Sequence, residues 1–138
     1  MNRITLIVLL TAAAAASAAP ATPAANRFAG VWVATFKGTV ICTLEIEEKD
    51  DQISGVSKAC KISVDQNGDI IEGEAPDGSE HPEPFLNAKV DGAVLKYEED
   101  DDGKPLKFEL KLTAEGKAEL RIVDAPITIK PIRFERKP

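Results

Sequence analysis

The chain is 138 residues long, with 17 Lys and Arg against 23 Asp and Glu, two Cys and one His. Its length points to one domain, and 43% hydrophobic with 29% charged residues suits a packed core under an ordinary surface. A formal net charge of −6 disfavours a nucleic-acid binder, which needs a basic face, and one His excludes a multi-His metal site and most Ser–His or Cys–His catalysis.

Residues 1–18 read as a signal peptide. Arg3 supplies the positive start and Ile4–Leu10 the apolar segment, and Ala16-Ser17-Ala18 has the small-residue pattern that signal peptidase cuts. The apolar stretch is shorter than the ~20 residues that span a bilayer. No Cys stands at the cleavage point for a lipid anchor, and no Arg pair marks the twin-arginine route. This predicts an exported, soluble protein, periplasmic or extracellular. Residues 19–27, rich in Pro and Ala, read as a flexible lead-in, and folding is expected over residues 28–138.

From Val31 onward the apolar positions recur with period 2, the mark of strands with one wet face. Trp32, Ala34 and Phe36 share one parity, then Val40, Cys42, Leu44 and Ile46, and later Leu106, Phe108, Leu110 and Leu112. Further strands are expected over Ile53–Val64, Asp69–Ala75, Phe85–Val90, Ala93–Glu98, Ala118–Val123 and Ile127–Phe134, the last with a bulge at Pro131. Asn67-Gly68, Asp91-Gly92, Asp102-Gly103 and Glu115-Gly116 supply tight turns between them. Eight or nine strands with no amphipathic helix predict an all-β, antiparallel up-and-down meander, closed as a small barrel; a two-sheet sandwich is the alternative.

The two cysteines test this register. A three-residue loop at Asp50-Asp51-Gln52 places Ile46 opposite Val56 and Cys42 opposite Cys60. Facing residues lie about 4.5–5.5 Å apart at Cα, within disulfide reach, and an exported chain with two Cys is expected to pair them. The same register turns Lys58 inward beside Leu44, as a polar lumen group or as a sign of slipped register.

Gly30-Val31-Trp32 at the start of the first strand resembles the opening of the calycin group: lipocalins, avidins and small bacterial barrels of like build. The resemblance implies that Trp32 closes one end of the barrel under a late-strand arginine, Arg133 first, with Arg136 the other choice. Lys89-Val90-Asp91-Gly92 is similar to turns in a broad set of exported bacterial barrels. Ala29-Gly30-Val31-Trp32, Cys42-Thr43-Leu44 and Cys60 are also similar in order to periplasmic inhibitors of serralysin-type metalloproteases, over about the first third of the mature chain. In those inhibitors the N-terminal segment enters the protease cleft, which implies a role for Ala19–Asn26.

Other candidates have plainer readings. Glu98, Asp100, Asp102, Gly103 and Glu109 have calcium-loop spacing, but no helices flank them and a solvated acidic hairpin tip accounts for them better. His81 lies between Pro76 and Pro84, the longest connection, with Ser79 and Glu83 nearby. It lacks the partners of a metal ligand or catalytic base, so Ser79, His81 and Glu83, with Lys58, are read as the rim of a binding mouth. The function expected is a non-enzymatic binding protein, monomeric and without cofactor or metal, that takes a small ligand or an exported partner at the barrel mouth. The alternative is a periplasmic protease inhibitor acting through its N-terminal segment.

Overall fold

A computed structural model describes residues 27–138; the expected signal peptide and residues 19–26 of the lead-in lie outside them. The alternating segments form eleven short strands: β1 (Gly30–Phe36), β2 (Thr39–Lys49), β3 (Gln52–Lys58), β4 (Ile62–Val64), β5 (Ile70–Gly73), β6 (Glu83–Pro84), β7 (Leu86–Asp91), β8 (Val94–Asp101), β9 (Lys104–Ala114), β10 (Lys117–Val123) and β11 (Ile132–Arg136). Nine make one antiparallel sheet in the order β6-β3-β2-β1-β11-β10-β9-β8-β7, and β4 and β5 form a separate hairpin. First and last strands meet, with Trp32 opposite Arg136, so the meander curls into a nearly closed barrel. Among the described residues no helix is long and apolar enough to cross a membrane.

The seam of the barrel is a single residue wide. β6 pairs with β3 and β7 pairs with β8, and only Phe85 separates β6 from β7. The Phe85 amide donates to the Gly55 carbonyl at 2.8 Å, and its ring stacks on Tyr97 with centroids 3.8 Å apart. Gly55 makes this approach possible, because a Cβ there would stand 2.6 Å from the Phe85 ring.

Inward residues line up across the strands in successive rows. Leu95, Leu110, Leu120 and Ile132 are lateral neighbours, Tyr97, Phe108 and Ile122 form the next row, and Glu99 faces Leu106 beyond it. On the other side Leu112, Ala118 and Phe134 align, and Trp32 and Phe28 fill that end with no exposed surface. Trp32 donates its indole N–H to the Phe28 carbonyl at 2.8 Å, so the polar edge of a large buried ring is satisfied.

Several expectations need correction. The turn after β2 has two residues, Asp50 and Asp51, both at positive φ (53° and 61°), with Lys49 facing Gln52. Ile46 therefore meets Gly55 rather than Val56, and Lys58 faces Thr43 on the outer surface, bonded to Glu45 at 2.7 Å. Cys42 and Cys60 are nevertheless bridged, with Cα atoms 4.2 Å apart. Ala59, at φ 54°, takes the extra residue: the chain bulges there, breaks the expected strand 53–64 in two, and brings Cys60 rather than Ala59 to Cys42.

In β2 the register slips opposite Ala34 and Thr35, leaving Ile41 as an additional residue that is fully buried next to Cys42. Ile41 packs against the bare backbone of Gly73, so the β4–β5 hairpin sits on this bulge. The expected strand 127–134 begins only at Ile132. Pro126 and Pro131 lack the N–H a ladder needs, and the segment 124–131 crosses to the tip of the β4–β5 hairpin. There the Lys130 amide donates to the Gly68 carbonyl at 3.0 Å and its ammonium reaches both Asp69 carboxylate oxygens at 2.8 Å.

The arginine over Trp32 is Arg136, with its guanidinium carbon 4.7 Å from the ring centroid and its stem against Gly30. Arg133 is exposed. Strand parity decides between them, since Ile132 and Phe134 point inward and Arg136 continues their alternation while Arg133 does not.

Candidate functional site

The barrel is filled at the Trp32 end and hollow at the other. A cavity of about 220 Å³ lies between the Leu120–Ile132 row and the mouth. Leu44, Leu106, Phe108, Leu120 and Ile122 form its walls; the Cys42–Cys60 bridge borders it, and Ile62 and Ile129 reach it from the β4–β5 hairpin and the segment 124–131. The disulfide, the bulge at Ala59 and the Pro-bounded segment thus all converge on one end of the barrel.

Three polar groups stand in this apolar wall. Ser57, the one buried polar residue among those described, faces Leu44 on the inner side of β3 and donates its hydroxyl to Glu99 at 2.6 Å. Burial pushes the Glu99 carboxyl above its usual range, the Ser57 hydrogen bond draws it back, and the charge of Glu83 adds to the upward push. Tyr97 is 2% exposed and its hydroxyl has no hydrogen-bond partner. Burial, reinforced by Glu99, holds that phenol well above its ordinary value. An unpaired buried hydroxyl costs about 1–3 kcal/mol, and here it belongs to a residue lining the cavity. Tyr97 and Phe108 stack with centroids 5.2 Å apart, giving this side of the cavity an aromatic surface.

The residues expected at the rim are not brought together. Ser79 and His81 are exposed and do not line the cavity. Ser79 is engaged locally: its hydroxyl and amide donate to Asp77 and hold that carboxyl below its usual range. Lys58 points outward. Glu83 comes nearest, since it pairs with Ser57 and its charge is felt at Glu99. At the acidic hairpin, Asp100 accepts the Gly103 amide at 3.0 Å, while Glu109 faces Lys96 and Arg121 within the sheet. A larger groove of about 560 Å³, beside Arg27, Leu112 and Arg136, is an open shelf outside the filled end.

No family model, curated protein or solved structure matches the chain. The site therefore has to be read from its own chemistry. Tyr97 shares the inward parity of Leu95 within the expected strand Ala93–Glu98, whereas Glu99 lies one residue past its expected end: β8 runs on to Asp101 and turns Glu99 inward where a solvated hairpin tip is expected. Ser57 was hidden by the one-residue error in the turn, which placed Lys58 in its position.

Proposed function

We propose that this chain is an exported, non-enzymatic binding protein of calycin-like build, holding a small and largely apolar molecule in the cavity at the barrel mouth. The observation that carries this reading is an apolar cavity of about 220 Å³ with the Ser57–Glu99 pair in its wall. Specific small-ligand sites combine apolar walls with a few placed polar groups in this way. The volume exceeds the ~150 Å³ of a cavity that takes benzene, so the ligand class is small. The Trp32–Arg136 stack at the filled end supports the calycin-like build, and the disulfide is compatible with an oxidising compartment.

The test is a titration of the full chain with 1-hexanol, followed by amide chemical shifts. Shifts are expected at Ser57, Tyr97, Glu99 and Leu120, and Leu120→Trp, which fills the cavity, should remove them. Shifts elsewhere only, or shifts that persist in the filled variant, would overturn the reading.

A further inference from the structure

Glu99 is the one charged side chain among the residues lining the cavity, and no Lys, Arg or His lines it. Its carboxylate already accepts one hydrogen bond, from Ser57 at 2.6 Å, which leaves acceptor capacity on both oxygens. The Phe108 ring, stacked on Tyr97, borders the same cavity. A carboxylate beside an aromatic ring makes a set suited to a cation. The apolar rows beneath them offer room for a hydrocarbon body but no polar partner.

We propose that the molecule held in the cavity is a small organic amine, its ammonium placed at Glu99 and its hydrocarbon part against Leu120, Ile122 and Phe108. This rests on the cavity being a binding site and specifies what it binds. The Glu99 carboxylate, bonded so far only to Ser57, can take one or two of the three donors of an ammonium. A carboxylate ligand would bring a second negative charge beside Glu99 with no cation among the lining residues to offset it. A neutral alcohol would leave the Glu99 charge without a counterion.

The experiment compares three probes of equal chain length, 1-hexylamine, 1-hexanol and hexanoate, titrated into the full chain at neutral pH and read by calorimetry and by amide shifts at Ser57, Tyr97 and Glu99. Hexylamine should bind about tenfold more tightly than hexanol, the difference between a charge-assisted and a neutral hydrogen bond. Hexanoate should not bind. Glu99→Gln should bring the amine down to the level of the alcohol, and Leu120→Trp should abolish both, which separates the cavity from amine adsorbed on an acidic surface. The wild-type comparison requires no variant to fold. Equal or tighter binding of hexanol or hexanoate, or an amine preference that survives Glu99→Gln, would overturn the amine assignment while leaving the cavity reading intact. Failure of both hexylamine and hexanol, or amine binding that survives Leu120→Trp, would overturn both.

Discussion

Glu99 is the residue at which stability and binding pull in opposite directions. Its carboxyl is raised by burial in the folded chain, so the folded state holds the proton more tightly than the unfolded state does. For an acid shifted upward, the stabilising contribution is fully present below the unfolded pKa and is lost as pH rises through the folded one. Glu99→Gln keeps a neutral side chain of the same shape at every pH. The variant should therefore gain stability relative to the wild type between about pH 4 and about pH 7, measured by urea denaturation at both. A difference that is constant with pH, or that shrinks toward neutrality, would show that the carboxylate is not desolvated in the fold. A charge retained where it destabilises is understandable if it serves a ligand, which connects this residue's energetics to the amine proposal. The expected strand Ala93–Glu98 stops one residue short of Glu99, and nothing in the sequence reveals that a cavity, rather than another side chain, lies opposite.

At the level of elements, one residue decides how the turn, the strand and the disulfide fit together. Two aspartates at positive φ close the β2–β3 hairpin one residue earlier than a three-residue loop, and the left-handed Ala59 restores the lost position before Cys60. A residue with a Cβ in that conformation is strained by roughly 1–2 kcal/mol, and glycine relieves this at an entropic cost of about 0.5–1 kcal/mol. Ala59→Gly should accordingly be neutral or stabilising by up to about 1 kcal/mol, whereas Ala59→Val, β-branched at positive φ, should cost about 1–3 kcal/mol. Equal effects of both in denaturant titrations would rule out the bulge. The same residues explain what the sequence could convey. Alternation conveys the inward faces of β1 (Trp32, Ala34), β9 (Phe108, Leu110) and the later part of β2 (Cys42, Leu44, Ile46), because burial on one side of a strand leaves that pattern. The expected Cys42–Cys60 pair is present although the register that predicts it is one residue off, because the bulge at Ala59 brings Cys60 back to Cys42. Register was not legible, because Asp-Asp closes a two-residue turn without the usual glycine and the compensating kink falls on an alanine. The segment 124–131 was misread for a related reason: Ile127 and Ile129 alternate as a strand would, but Pro126 and Pro131 deprive it of ladder donors.

For the whole molecule, the question is what closes the barrel where no continuous pair of strands does. The chain changes edges at Phe85, and the two sides of the seam, β3 and β8, are held together by a ring that rests on Gly55 and stacks on Tyr97. Tyr97 in turn lines the cavity, so the closure and the binding site share a wall. Gly55→Ala would place a Cβ 2.6 Å from the Phe85 ring and 2.8 Å from the Glu45 carbonyl oxygen, and should cost about 1–3 kcal/mol as an overpacked contact. Phe85→Ala should cost a comparable or larger amount by emptying the seam. Two of the three nearest atoms in the Gly55→Ala clash belong to the ring, so the combined variant escapes that part and retains only the conflict with the backbone oxygen. Urea denaturation of both single variants and the double should therefore give a total smaller than the sum by at least about 0.5 kcal/mol, the coupling of residues in direct contact. Costs that add to within about 0.3 kcal/mol would mean that Phe85 does not sit on Gly55 in solution. The barrel would then be open between β3 and β8, and the aromatic wall of the cavity would lose its support.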